Sequence, residues 1–118
     1  MTAILEDYIK RINTHEFYQV KEILLPTSYF TFNEKVWNTP KDVQAYFETA
    51  WQTIQEEVYQ ANEVKTVYQS DETVVYNYQY VYSGYLADGK FIEGGGFATN
   101  VFCLVDNQWK LVHEHLNN

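Results

Sequence analysis

Apolar residues follow a helical period in the first half of the chain and a strand period in the second half. A first helix is predicted where apolar side chains recur three or four residues apart, at Ile4, Leu5, Tyr8, Ile9 and Ile12. A second helix is predicted from a shorter stripe of Phe17, Val20 and Leu24. It is expected to end before Pro26, because the residue that precedes a proline avoids the helical conformation.

The next two predicted elements are a strand and a third helix. Residues 28–37 are rich in aromatic and β-branched side chains, which is typical of a strand. Thr39 is a suitable N-cap and Pro40 a suitable first helical residue. The third helix is then predicted from an apolar stripe of Val43, Phe47, Ala50, Trp51, Ile54 and Val58.

The second half of the chain predicts four long strands joined by tight turns, over residues 59–69, 73–86, 90–105 and 108–116. Asp88-Gly89 is a strong hairpin signal, and the three glycines at 94–96 predict a bend or bulge. Early helices and a late strand meander indicate an α+β fold. We expect three N-terminal helices packed on a strongly curved antiparallel sheet of roughly five or six strands. Such a cone-shaped sheet is expected to enclose a cavity.

Composition and charge narrow the classes of partner. The 118 residues suit one domain, residues 1–118, and carry a net charge of -8, with 16 acidic against 8 basic side chains. This balance argues against binding to nucleic acid or to an anionic membrane surface. The early acids argue against a signal peptide, and no apolar run approaches the roughly 18 residues of a membrane span. Cys103 is the one cysteine, which excludes an internal disulfide, and we expect a cytoplasmic protein.

A row of tyrosines is the most unusual local feature. Val74, Tyr76, Tyr78, Tyr80 and Tyr82 alternate along one predicted strand and therefore share one face. Tyrosine has an apolar body and a hydroxyl that needs a partner when it is buried, so this face suits a cavity for a flat, partly polar ligand. The alternative explanations for this row of tyrosines are cross-strand aromatic packing and a dimer interface.

The closing hairpin carries a family resemblance. Residues 100–116 show a strand, an Asp-Asn turn and then the pattern Trp-x-x-Val-His-x-His, beginning at Trp109. This pattern resembles the nuclear transport factor 2-like superfamily, and more narrowly its SnoaL-like group and the association domain of calcium/calmodulin-dependent protein kinase II. The resemblance implies a cone-shaped α+β fold, a homodimer through the outer sheet face, and a pocket between sheet and helices. It leaves the activity open, because members include isomerases, dehydratases, cyclases, transport factors and oligomerisation hubs.

His113 is the candidate catalytic residue. If Asp106-Asn107 is a two-residue loop, counting along the hairpin pairs Asn100 with His113, whereas a three-residue loop would shift the register by one. A neutral histidine in this position can act as acid, base or hydrogen-bond donor, and a purely structural histidine is the alternative. His113 and His115 lack a third ligand, so we predict no metal. The acids Asp7, Glu34, Glu48, Glu93 and Glu114 are interpreted as mostly solvated surface charges, with Glu114 facing away from His113.

The sequence leaves three functions open. The first is a small-molecule-binding domain without a cofactor, whose ligand would contact Tyr78, Tyr80, Tyr82, Asn100, Phe47 and Trp51. The second is a cofactor-free acid–base enzyme of the isomerase, dehydratase or cyclase type. The third is an oligomerisation domain whose pocket is filled by side chains.

Overall fold

Three helices lie early in the chain. The computed structural model describes residues 2–118. Its helices are α1 (Ala3–Ile12), α2 (Phe17–Lys21) and α3 (Pro40–Thr53). α3 begins as predicted, because the Thr39 hydroxyl accepts a hydrogen bond from the backbone N–H of Asp42 at 3.1 Å. No helix within residues 2–118 is long and apolar enough to cross a membrane.

α3 is shorter than the apolar stripe predicted. The helix ends at Thr53, Ile54 has extended backbone angles, and Val58 belongs to the following strand. The prediction was wrong at this end because residues 54–58 contain no glycine or proline that would mark a boundary. α2 also ends early, at Lys21, so that the first strand begins before Pro26.

Six strands form a single sheet. They are β1 (Leu24–Phe32), β2 (Lys35–Trp37), β3 (Gln55–Gln69), β4 (Thr73–Tyr85), β5 (Phe91–Val105) and β6 (Gln108–Asn117). Their order is β2-β1-β6-β5-β4-β3. All neighbours are antiparallel except β1 and β6, which run parallel. The long connection between these two strands, which carries α3, makes the parallel pairing possible. The single strand predicted at 28–37 is a hairpin of β1 and β2.

The helices and the inner face of the sheet share one hydrophobic core, which confirms the predicted α+β architecture. Along β4 the alternation is as expected, since Val74, Tyr76, Tyr78 and Tyr80 are all buried while Asn77 and Gln79 are exposed. From the helical side the core receives Leu5, Tyr8, Ile12, Val20, Val43 and Phe47.

The three glycines of β5 allow close approach of a tyrosine ring at Gly94 and of neighbouring main chain at Gly95 and Gly96, instead of forming the predicted bulge. The β4–β5 register is unbroken along this stretch, where Tyr82 pairs with Gly94 and Tyr80 with Gly96. A Cβ atom at Gly94 would lie 2.6 Å from the Tyr82 hydroxyl oxygen, so the phenol occupies the space of a missing side chain. The register shifts lie in β1, β3 and β6.

Candidate functional site

A cavity of about 610 Å³ lies between α3 and the inner face of the sheet. Its wall is dominated by aromatic rings, contributed by Phe32, Trp37, Tyr46, Phe47, Trp51, Tyr59, Tyr80 and Tyr82. Three residues that carry a formal charge also line it: Glu114, Glu57 and Lys35. A volume of this size accommodates a small organic molecule, and the wall favours a flat, largely apolar one.

Glu114 brings a carboxyl group into this apolar environment. The residue is 3% exposed. Its Oε1 accepts hydrogen bonds from the Tyr8 hydroxyl at 2.7 Å and from Asn100 Nδ2 at 3.0 Å. Within residues 2–118 its Oε2 accepts no hydrogen bond. One carboxyl oxygen is therefore fixed by the protein, while the other is available to a molecule in the cavity that Glu114 lines.

A chain of hydrogen bonds holds Asn100 in place behind the carboxyl group. The Tyr78 hydroxyl donates to Asn100 Oδ1 at 2.7 Å, and the hydroxyls of Tyr59 and Tyr78 are 3.1 Å apart. Because the Tyr78 hydrogen points to Asn100, Tyr59 is the donor to Tyr78. The chain thus runs from Tyr59 through Tyr78 and Asn100 to Glu114, with every donor directed toward the carboxylate.

Burial is the main cause of the shifted pKa values in this network. Desolvation raises the pKa of Glu114 to about 7, although the hydrogen bonds from Tyr8 and Asn100 act in the opposite direction. Burial likewise raises the pKa of Tyr8, Tyr59 and Tyr78 well above the ordinary value, so these phenols stay neutral donors. A carboxyl group that titrates near neutral pH can both take up and release a proton.

The residues predicted to bind a ligand occupy two layers. Tyr80, Tyr82, Phe47 and Trp51 line the cavity directly, and the rings of Phe47 and Trp51 are 5.5 Å apart. Tyr78 and Asn100 do not line it, because they belong to the hydrogen-bond chain behind Glu114.

The structure corrects the expected contact between Asn100 and His113. The loop has two residues as assumed, since Val105 pairs with Gln108, but the register shifts further along β6. There Phe102 pairs with Leu111 while Val101 pairs with His113, which leaves Val112 as an extra residue. This bulge pairs Asn100 with Glu114 and turns His113 to the opposite face of the sheet.

His113 consequently lies outside the cavity. Its Nδ1 donates to the Tyr29 carbonyl oxygen at 2.8 Å, and its ring is 5.7 Å from that of Tyr29. The neighbouring His115 is bonded through Nδ1 to the Thr31 hydroxyl at 2.8 Å. Both histidines therefore connect β6 to β1. Within residues 2–118, no group of three His, Cys, Asp or Glu side chains is arranged to hold a metal ion.

The sequence reading missed the central acid and its first partner. The sequence pattern predicts a surface charge at Glu114 and places Tyr8 only on the apolar face of the first helix. A signal for Glu114 did exist, because alternation places it on the same face as the apolar Leu116. The contact with Tyr8 spans 106 residues of sequence and had no local signal.

Comparison with known proteins assigns the family and the fold. The family model described as SnoaL-like domain matches residues 1–117. No curated protein sequence matches the chain.

Among solved structures, a putative calcium/calmodulin-dependent protein kinase II association domain from Xanthomonas campestris superposes with a TM-score of 0.86 at 17% identity, covering 98% of this chain and 83% of that chain. A nuclear transport factor 2-like superfamily protein from Salmonella enterica gives 0.83 at 14% identity, covering 94% and 82%. A putative aromatic ring hydroxylase from Novosphingobium aromaticivorans gives 0.83 at 10% identity, covering 96% and 82%. At these identities the likeness shows the fold alone.

Proposed function

The chain belongs to the SnoaL-like family, and we propose that it binds a flat, largely apolar small molecule in the aromatic cavity and exchanges a proton with it through Glu114. The observation that carries this proposal is a buried carboxyl group with one oxygen held by Tyr8 and Asn100 and the other left to the cavity. The function is therefore that of an acid–base enzyme that needs no cofactor.

The surroundings of Glu114 suit a base that acts on a C–H bond. In the ionised form its charge is poorly solvated, which strengthens it as a base, and its pKa of about 7 leaves a large ionised fraction at neutral pH. Tyr8 and Asn100 fix the orientation of the carboxyl group before the ligand arrives. Tyr80, Tyr82, Phe47 and Trp51 would hold the ligand, and the buried Tyr80 hydroxyl, which has no partner within residues 2–118, favours a ligand with a hydrogen-bond acceptor near it.

Proton abstraction is testable with 5-nitro-1,2-benzisoxazole, a flat apolar molecule with one acidic C–H. A base removes that proton, the N–O bond opens, and the coloured 2-cyano-4-nitrophenolate is released. Wild-type protein is expected to catalyse this reaction with a rate that rises with pH around a midpoint of about 7, the pKa of Glu114. Glu114→Gln is expected to lower the rate at least about 100-fold, the usual contribution of a general base.

The matched control is His113→Gln, which changes the adjacent residue on the opposite face of the sheet. It is expected to leave the rate unchanged. A rate that survives Glu114→Gln but is lost in His113→Gln would reject the proposal and restore the histidine as the base.

We also propose a homodimer formed through the outer face of the sheet. That face exposes apolar side chains that a monomer would leave in water: Tyr29, Val58, Tyr68, Tyr85, Phe91 and Phe97. Phe97 is 60% exposed and lies on β5, near the middle of the sheet. Large exposed apolar patches are typical of interaction surfaces.

We further propose that the protein acts in the cytoplasm, because Cys103 is a free thiol.

Sedimentation tests this dimer. Sedimentation equilibrium of the wild-type protein is expected to give twice the chain mass of 14.0 kDa. The Phe97→Glu protein is expected to give the mass of a single chain, because the new charge at the centre of the patch would be buried in the dimer without a partner. Tyr18→Glu is the control, since Tyr18 is 58% exposed on α2, away from the sheet face. A wild-type monomer, or dissociation by both variants alike, would contradict the proposal.

A further inference from the structure

We infer that Glu57 is a second catalytic residue of the same cavity and that it protonates a leaving group while Glu114 removes a proton from carbon. The inference rests on the proposed function and extends it to a reaction class: elimination of water from a β-hydroxy carbonyl compound. It follows from the position of Glu57, from the way its backbone is fixed, and from the absence of another role for its carboxylate.

Strand alternation directs Glu57 inward. It is two residues before Tyr59 in β3, so both side chains lie on the inner face of the sheet, and both line the cavity. Glu57 is half-buried, whereas Glu114 is almost completely buried. The two acids therefore occupy different depths of one cavity, with Glu114 at its floor and Glu57 at its solvent-exposed mouth.

The backbone at Glu57 is held from the helical side. His15 Nε2 donates to the Glu57 carbonyl oxygen at 2.8 Å. The His15 ring is stacked on Trp51, with centroids 5.4 Å apart and planes inclined by 14°. Because Trp51 itself lines the cavity, the cavity wall and the main chain of Glu57 are fixed together.

The sheet constrains the same segment from the other side. Gln55 pairs with Tyr85 and Val58 with Ser83, so Glu56 and Glu57 together oppose one residue of β4 in a bulge. Glu56 has a φ of 54°, in the left-handed region that a non-glycine residue adopts only under constraint. The opposing residue is Gly84, where a Cβ atom would lie 2.8 Å from the Gln55 carbonyl oxygen. Such bulges are frequent beside active sites.

The Glu57 carboxylate has no structural partner. Within residues 2–118 it accepts no hydrogen bond and forms no ion pair. The other ionisable groups facing the cavity are Lys35, Glu114 and the tyrosines of its wall. Burial raises the pKa of Glu57 to about 7, so a large fraction is protonated at neutral pH. A partly desolvated carboxyl group without a partner costs stability, and a catalytic role would explain why the residue is retained.

Both acids act on a common neighbour. Burial raises the pKa of Tyr46, and the charges of Glu114 and Glu57 each raise it further. Tyr46 also lines the cavity, with its ring centroid 4.4 Å from that of Trp37. Tyr46 and the two acids therefore line one and the same cavity.

Glu114 is more deeply buried than Glu57, and this difference suits the two proton transfers of an elimination. Ionised Glu114 takes the proton from the carbon next to a carbonyl group, and the C–H electron pair forms the new C=C bond. The C–O bond of the β-hydroxyl breaks, and neutral Glu57 gives its proton to that oxygen, which leaves as water through the mouth. Glu114 ends protonated and Glu57 ionised, and exchange with solvent water restores both.

Leaving-group dependence tests this assignment. The probes are 4-hydroxy-4-phenylbutan-2-one, whose hydroxide is a poor leaving group, and its 4-nitrophenyl ether, whose nitrophenoxide leaves without a proton. Glu57→Gln is expected to slow loss of water about 100-fold, as expected when a general acid is removed, and to leave loss of nitrophenoxide within about twofold. Glu57→Asp, which keeps an acid, is expected to retain part of the dehydration rate. Glu56→Gln is the matched control, an exposed neighbour expected to change neither rate.

The outcomes separate the two proposals. If Glu114→Gln slows both eliminations while Glu57→Gln affects both equally or neither, the role of Glu57 is wrong and that of Glu114 stands. A wild-type protein that releases nitrophenoxide but not water overturns the role of Glu57 as well. If Glu114→Gln changes neither rate, the proposed function itself fails. Equal melting temperatures of the Glu57→Gln and Glu56→Gln proteins exclude unfolding as the cause of a lost rate.

Discussion

The free energy of unfolding is expected to fall by about 3 kcal/mol as the pH rises from 4.5 to 7, because of Glu114 alone. The folded protein binds the Glu114 proton with a pKa of about 7, whereas the unfolded chain binds it with the ordinary value of 4.5. Between these values the folded state holds more protons than the unfolded state, so stability decreases as the pH increases. Below pH 4.5 both states are protonated, so the slope vanishes and the stabilisation relative to high pH is fully present. Glu57, whose pKa is shifted in the same direction, adds to the slope.

Chemical denaturation at a series of pH values measures this slope. Glu114→Gln keeps the shape of a neutral carboxyl group and removes its titration, so its stability is expected to exceed that of the wild type at pH 8 and to vary less with pH. Glu93→Gln, an exposed change on β5, is the control and is expected to keep the wild-type slope. Parallel curves for wild type and Glu114→Gln would contradict the buried, raised-pKa carboxyl group.

Asn100→Ala is expected to destabilise the protein by about 3 kcal/mol, the second large effect. Asn100 is fully buried, and its removal leaves the Tyr78 hydroxyl without an acceptor and Glu114 with one donor fewer. The vacated volume adds to the loss, because a packed interior closes such a space only in part.

Tyr80→Phe is the informative contrast to Asn100→Ala. The Tyr80 hydroxyl is buried and has no partner within residues 2–118, so its removal is expected to leave stability unchanged or slightly higher. Thermal denaturation of both variants measures the difference. Similar losses in the two would show that the hydrogen-bond chain through Asn100 contributes little, and would weaken its proposed role in fixing Glu114.

The α+β fold was predictable because its signals are local. The helical spacing of α1, the capping pair Thr39 and Pro40, and the Asp88-Gly89 turn act over a few residues, and each lies where the pattern placed it. The row of tyrosines on β4 was equally predictable, since alternation alone assigns its inner face. The end of α3 was not, because Ile54 and Val58 suit a helix as well as the strand they join.

The pairing of Glu114 with Asn100 depended on the register of the closing hairpin, which counting from the turn does not give. One extra residue, Val112, exchanges the roles of His113 and Glu114 by turning the acid inward. A bulge of this kind is set by tertiary packing, here of Leu111 and Leu116 into the core. The aromatic wall from α3 was anticipated through Phe47 and Trp51, whereas Tyr8 reaches Glu114, and Tyr59 reaches Tyr78, only after the chain has folded.

The most direct test of the account is the titration of the Glu114 carboxyl carbon by NMR in protein labelled at glutamate. Comparison with Glu114→Gln identifies the resonance. We expect a midpoint of about 7 for this carboxyl group, together with a chemical shift that changes when Tyr8 is replaced by phenylalanine. A midpoint at or below the ordinary value of 4.5 would contradict it, since a carboxylate of that kind is solvated and does not lie at the floor of an apolar cavity.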